Sequence, residues 1–154
     1  MPVTYEELLM QADHESLQVK EKPLCSNDGR IKGDRIAIRQ NILTSAGKSC
    51  VLAEELGHYY TTTGDILDQS TVTNRKQELR ARLWAYNKQI GLSGIISACK
   101  HGCRNLCEMA EYLDVTEEFL NEALSAYQSK YGISVPIDNY IVFFEPKLAV
   151  LERY

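Results

Sequence analysis

The sequence lacks the features that would assign it to a membrane, secreted or nucleic-acid-coating class. Among its 154 residues no apolar run approaches the roughly 18 residues that a membrane-spanning helix needs. The first residues, Met-Pro-Val-Thr-Tyr-Glu-Glu, show no basic segment followed by an apolar one, so no secretory leader is expected. Seventeen basic residues against 21 acidic ones give a net charge of -4, which excludes a basic protein that coats DNA or anionic membranes.

The cysteines give no sign of a disulfide framework. Their number, 5, is odd, and the chain is too long for a disulfide miniprotein, so reduced thiols in a cytosol are expected. Cys99, Cys103 and Cys107 recur every four residues, with His101 between the first two. This spacing matches no standard zinc pattern, so we expect free thiols there.

Local patterns in the first part of the chain predict an α+β fold. Caps and apolar spacing predict three helices, over residues 4–12, 45–61 and 73–90. Between the first two helices, residues 35–39 place their apolar side chains on one face, as in a strand, and residues 27–30 have the composition of a turn. Together they predict a small antiparallel sheet. Gly64-Asp65 is expected to break the chain between the last two helices. We predict a first domain over residues 1–91, since Gly91 ends the third helix.

Residues 92–154 are predicted to form a helical C-terminal subdomain with a terminal strand that packs on the body. The segments 106–113 and 117–131 resemble a helix-turn-helix, with Val115 and Thr116 at the turn. Six acidic residues against one arginine between Arg104 and Leu124 would repel phosphates, so a structural or protein-binding role is expected and no direct contact with nucleic acid. The run of aromatic and β-branched residues at 140–144 predicts this late, terminal strand.

The candidate chemistry lies in residues 51–60. Glu54 and His58 are four residues apart, so a helix presents both from one face and both can bind one metal ion. Glu55 is rotated from them by about 100 degrees, where its carboxylate can reach a water on the metal without being a ligand. This is the zincin arrangement, His-Glu-x-x-His, with Glu54 in place of the first histidine. So short a string also occurs on solvated helix faces. Only the surrounding sequence can therefore distinguish a metal site from an exposed polar face.

The substitution of glutamate for histidine changes the expected metal chemistry. A carboxylate oxygen binds zinc at about 2.0 to 2.2 Å, but its negative charge weakens the metal as a Lewis acid. The pKa of a water on the metal should therefore rise. Tyr59 and Tyr60 follow His58, and we expect packing from them rather than stabilisation of an oxyanion.

The sequence resembles the ImmA/IrrE family of metallo-endopeptidases, in its phage and mobile-element branch, over nearly the whole chain. The resembling segments are 5–9, 28–31, 36–38, 50–58 and 78–85. The last of these is similar to the family's second active-site helix, through Glu78, Ala81, Trp84 and Ala85. The resemblance implies a zincin-like minimal metallopeptidase with two active-site helices, in which Glu78 is the third metal ligand beside Glu54 and His58.

The resemblance also implies a reaction and a partner. The metal is expected to be Zn²⁺, with Mn²⁺ or Fe²⁺ as competitors or an empty site, because two glutamates and one histidine form a hard, anionic ligand set. Glu55 would be the general base. The expected substrate is a phage-type transcriptional repressor in the bacterial cytoplasm, which makes the protein an antirepressor. The alternative is an inactive zincin-fold protein that binds and sequesters the repressor. No membrane partner is expected.

Overall fold

The computed structural model describes residues 2–62 and 71–153, with side chains from Asn74 onward in the second range. The helices in these ranges are α1 (Tyr5–His14), α2 (Ser45–Thr61), α3 (Thr71–Gln89), α4 (Gly91–His101), α5 (Leu106–Leu113) and α6 (Glu117–Tyr131). The strands are β1 (Gln18–Lys22), β2 (Gly29–Lys32), β3 (Arg35–Arg39), β4 (Ser134–Ile137), β5 (Tyr140–Phe143) and β6 (Ala149–Glu152). This mixture of helices and small sheets confirms the α+β class.

The chain divides into two compact units, Val3–Lys88 and Gln89–Tyr154, the latter together with Met1–Pro2. In the part of the chain that the structure describes, no helix is both long and apolar enough to span a membrane. The predicted break at Gly64-Asp65 lies outside the described residues.

Threonine caps fix the starts of α1 and α2 at the predicted positions. The backbone N–H of Glu7 donates to Thr4 Oγ1 at 3.2 Å, and the Glu7 carboxylate accepts from the Thr4 N–H at 3.1 Å, which is a capping box. At α2, the Gly47 N–H donates to Thr44 Oγ1 at 3.0 Å. The helix α2 spans the predicted range, whereas α1 continues past Ala12 to His14.

The sheet of the first unit is mixed, so the prediction of a wholly antiparallel sheet was wrong for one strand pair. Its order is β1-β3-β2, in which β2 is antiparallel and β1 parallel to β3. Residues 23–28 reverse the chain after β1 and leave a strand-wide gap, which β3 fills after a second reversal at Gly33 (φ 60°). Two reversals return the chain to its first direction, so β1 and β3 run parallel.

Gly29 lies within β2, where it is paired with Ile38, and not in the turn predicted at residues 27–30. A Cβ atom at Gly29 would lie 2.6 Å from Val51 Cγ1 and 2.9 Å from Glu55 Oε1. Real Cβ atoms do not come so close to a neighbour, so the missing side chain is what allows β2 to lie directly against α2.

The core of the first unit is aliphatic and lies where α1 and α2 cover the sheet. Its most deeply buried large side chains, each at most 2% exposed, are Leu8, Ile36, Ile38, Leu52 and Leu56. Burying each such side chain stabilises the fold by roughly 1.5–3 kcal/mol relative to exposure. This packing fixes the position of α2, the helix that carries Glu54, Glu55 and His58.

The second unit combines α4 to α6 with an antiparallel sheet of order β4-β5-β6. In the predicted helix-turn-helix-like pair, α5 and α6 are joined by three residues that include Asp114 in the left-handed region (φ 55°) and Thr116 as the cap of α6. The predicted late strand is the central strand β5. Its neighbours β4 and β6 are not among the predicted strands, and β4 contains Pro136, which is typical of an edge strand.

Candidate metal and catalytic site

The four residues predicted for the site lie on two helices of the first unit. Glu54, Glu55 and His58 are on α2, and Glu78 is on α3. The Nε2 atom of His58 and the Oε2 atom of Glu78 are 3.3 Å apart, with side-chain exposures of 28% and 44%. The structure therefore brings the imidazole and the distant carboxylate together at a place that solvent and substrate can reach.

A close approach of the two helices at Gly57 controls this separation. A Cβ atom at Gly57 would lie 2.2 Å from the carbonyl oxygen of Ala81. Gly57 directly precedes His58, and Ala81, which is fully buried, lies one helical turn after Glu78. The absence of a side chain at Gly57 thus allows α3 to come near enough for Glu78 to meet His58.

Replacing Gly57 by alanine should test this close approach. We expect the free energy of unfolding to fall by about 1–3 kcal/mol, because the obstructing atom is backbone and α3 must shift. The loss should appear although alanine favours a helix by about 1 kcal/mol over glycine. The measurement is urea unfolding followed by circular dichroism.

The matched control for that prediction is Gly94→Ala in α4. A Cβ atom at Gly94 would lie 3.3 Å from Leu113 Cδ2, the end of a side chain that can adjust, and 3.6 Å from Ile90 Cγ2, which is an ordinary contact distance. Gly94→Ala should therefore leave stability unchanged or raise it by up to about 1 kcal/mol. Equal effects of the two substitutions would contradict the role given to Gly57.

Glu55 differs from its neighbours because its carboxylate is buried. The residue is 9% exposed, and β2 lies against it at Gly29. Burial and, to a lesser extent, the negative charges of Glu54 and Glu78 together raise the pKa of Glu55 from 4.5 to about 7. Near neutral pH both the protonated and the ionised forms of Glu55 are present, which suits a group that must accept and then release a proton.

A sequence model of the Peptidase M78 family, the IrrE N-terminal-like domain, matches residues 9–125. That range is more than half of the chain and contains all four residues of the site. The chain belongs to the Peptidase M78 family. The resemblance to the ImmA/IrrE family is thereby confirmed, and the function of the domain is metallopeptidase-like. A comparison with curated proteins finds no match.

Two of the three predicted ligands of this IrrE-like domain fit a divalent metal ion. Ligands at about 2.0 to 2.2 Å from a tetrahedral zinc ion are roughly 3.4 Å apart, close to the observed separation of His58 and Glu78. A cation would also relieve the repulsion that Glu54 and Glu78 exert on Glu55. Within residues 2–62 and 71–153, no group of three or more His, Cys, Asp or Glu side chains is arranged to hold a metal, so Glu54 does not complete a cluster with the other two.

Glu78 of the IrrE-like domain has a second partner, which the sequence reasoning missed. The Nε–H of Arg82 donates to Glu78 Oε1 at 3.2 Å, while Glu78 Oε2 faces His58. The sequence did carry a signal for this contact, since Glu78 and Arg82 are four residues apart on one helix and such acid–base pairs meet.

The hydroxyl groups of the two tyrosines after His58 are both hydrogen-bonded to other side chains. The ring of Tyr60 stacks on Trp84 with centroids 4.9 Å apart, and its hydroxyl accepts from Gln11 Nε2 at 3.1 Å. The hydroxyl of Tyr59 donates to the Glu15 carboxylate at 3.4 Å. Both hydroxyls are thus used in attaching α2 to α1 and its C-terminal cap, which supports packing roles.

The cysteines and His101 of the second unit do not form a comparable site. All five cysteines are free thiols. The ring of His101 stacks on Tyr112 with centroids 4.5 Å apart, and the Cys103 thiol donates to the Glu108 carbonyl at 3.6 Å. These contacts join the end of α4 to α5, which is a structural role.

Proposed function

We propose that this protein is a divalent-metal-dependent endopeptidase whose metal is zinc, held by His58 and Glu78 with Glu54 as the third ligand. The observation that carries the proposal is the meeting of His58 and Glu78 beside the buried carboxylate of Glu55. Membership of the Peptidase M78 family supports the reaction class. The harder donor set of two carboxylates and one imidazole makes Mn²⁺ and Fe²⁺ the natural competitors of zinc.

In this proposal Glu55 moves the proton. Held by His58, Glu78 and Glu54, a zinc ion would supply Lewis-acid polarisation of the scissile carbonyl and would acidify the attacking water. Glu55 would accept the proton of that water and deliver it to the leaving amine, a pair of tasks that suits a buried carboxylate beside the proposed ligands. The strand β2 lies against one side of the Glu55 carboxylate at Gly29.

The edge strand β2 is the natural place for an extended peptide substrate. In the first sheet β2 is hydrogen-bonded to β3 on one side only, which leaves its other edge for strand addition. Because Gly29 of β2 lies against Glu55, a peptide on that edge would pass close to the proton-transfer group. We propose a phage-type transcriptional repressor as the substrate, and a role as an antirepressor of a phage or mobile element in the bacterial cytoplasm.

Metal content tests the proposed site directly. Protein purified without chelator or histidine tag should contain about one equivalent of zinc, manganese or iron by mass spectrometry, because the three proposed ligands would together hold one metal ion. His58→Ala and Glu78→Ala should each lose the metal, whereas His14→Ala, at the end of α1, should retain it. Failure of the wild-type protein to bind any of these metals on titration would overturn the proposal.

A second candidate function is a binding protein that has kept the fold and lost turnover. Glu54 in place of histidine favours it, as does the absence of a three-residue metal group among the described residues. Such a protein would sequester an intact repressor. The two functions differ in what Glu55 does, because only the peptidase transfers a proton through its carboxylate.

A further inference from the structure

The carboxylate of Glu78 is held on both sides by different partners. Arg82 donates its Nε–H to Oε1 at 3.2 Å, and His58 Nε2 lies 3.3 Å from Oε2. One oxygen is therefore fixed by a neighbour on the same helix, and the other is turned toward the imidazole on α2.

This division matters because Glu78 has little else to hold it. Its side chain is 44% exposed, and a glutamate loses substantial rotamer freedom when its carboxylate is fixed in one orientation. Hydrogen bonds from outer residues commonly fix the orientation of carboxylates that bind metals. A donor already in place at Oε1 reduces the freedom that metal binding would otherwise have to remove.

Arg82 also carries a positive charge, which by itself opposes the binding of a cation. Its side chain is 50% exposed, so solvent and salt screen this repulsion. The hydrogen bond, in contrast, acts directly on the ligand. Orientation should therefore outweigh repulsion.

We propose that Arg82 is a positioning residue of the metal site, which holds Oε1 of Glu78 so that Oε2 is presented to the metal beside His58. This inference rests on the proposed function, because it requires that Glu78 bind the metal. It adds a residue outside the ligand set whose removal should weaken metal binding without changing any ligand.

The atom that Arg82 uses makes the proposal testable with near-isosteric variants. The donor is Nε, and the Nε2 atom of glutamine stands at the same distance along the side chain. Arg82→Gln thus keeps the donor and removes the charge. Arg82→Lys keeps the charge but moves the donor to the end of a longer chain, and Arg82→Ala removes both.

The experiment measures the zinc affinity of the full chain by competition with a chromophoric chelator. We expect Arg82→Ala and Arg82→Lys to weaken zinc binding about 10-fold, and Arg82→Gln to stay within about threefold of the wild type. The matched control is Arg80→Ala, an exposed arginine on the same helix, which should bind zinc as the wild type does. Circular dichroism confirms that each variant is folded.

The outcomes separate this inference from the proposed function. If the wild-type protein binds zinc and Glu78→Ala does not, the metal site stands, and unchanged affinity in Arg82→Ala and Arg82→Lys overturns the role of Arg82 alone. Tighter zinc binding in both Arg82→Ala and Arg82→Gln also overturns it, because charge would then outweigh orientation. No zinc binding by the wild type overturns both. Rescue by glutamine but not by lysine is the result that a merely structural or electrostatic role would not produce.

Discussion

Replacing Glu55 by glutamine is expected to lower the rate of peptide-bond cleavage by about 10²- to 10⁴-fold. Glutamine keeps the size of the side chain but cannot accept a proton at neutral pH. The predicted ligands Glu54, His58 and Glu78 remain, so metal content should be unchanged. The measurement is the rate at which zinc-loaded protein cleaves purified phage-type repressors, with the products identified by mass spectrometry.

The control for this prediction is Glu111→Gln, an exposed glutamate on α5 that is remote in sequence from the site. It should cleave at the wild-type rate. Cleavage by Glu55→Gln at that same rate would remove Glu55 from the mechanism. Recovery of an intact repressor bound equally well to the wild type and to Glu55→Gln, with no products from either, would instead establish the binding protein as the function.

The same substitution is expected to stabilise the metal-free protein at alkaline pH. The pKa of Glu55 is raised from 4.5 to about 7, so the folded state binds this proton more tightly than the unfolded state does. Folding is therefore opposed whenever Glu55 is ionised, and wild-type stability should fall as pH rises from about 4.5 to 7. With about 1.36 kcal/mol per pKa unit, the full effect above pH 7 is roughly 3 kcal/mol.

Urea unfolding of chelator-treated protein at pH 5 and pH 8 provides the measurement. Glu55→Gln should exceed the wild type by up to about 3 kcal/mol at pH 8, and by much less at pH 5, where the wild-type carboxyl is already protonated. Glu111→Gln, whose side chain is exposed, should stay within about 0.5 kcal/mol of the wild type. A gain for Glu55→Gln that is the same at both pH values would show that the ionisation of Glu55 is not its cause.

Taken together, the two predictions for Glu55 describe a group that is unfavourable for stability and useful for chemistry. A buried carboxylate opposes folding when it is charged, and proteins keep such groups mainly at functional sites. The stability result alone does not separate the peptidase from the binding protein, since both keep the same buried carboxylate. The cleavage result separates them, because only the peptidase transfers a proton through Glu55.

Features that depend on neighbours along the chain could be predicted from the sequence. The bounds of α2, the caps at Thr4 and Thr116 and the helices α5 and α6 all follow from local spacing and from side chains that bind nearby backbone groups. The resemblance to the ImmA/IrrE family is of the same kind, since it rests on short segments whose order is visible in the sequence.

Features that depend on which distant segments meet could not be predicted in this way. Alternation in residues 35–39 indicated a strand, but nothing local showed that β1 would pair with it in parallel. The sequence places Gly29 in a turn, since glycine is common in turns, whereas the fold needs it where β2 meets α2. Gly57 likewise gave no local sign of its contact with Ala81.

The sequence by itself determined the family and the helix that carries Glu54, Glu55 and His58. It also determined that Glu54 and His58 lie on the same face of that helix. The tertiary structure alone decided that Glu78 meets His58, that Arg82 holds the other oxygen of Glu78, and that Glu55 is buried under β2 with a pKa near neutrality. The reason is physical. Helical phase is a property of consecutive residues, but burial and the electrostatic field at a carboxylate come from segments that only folding brings together.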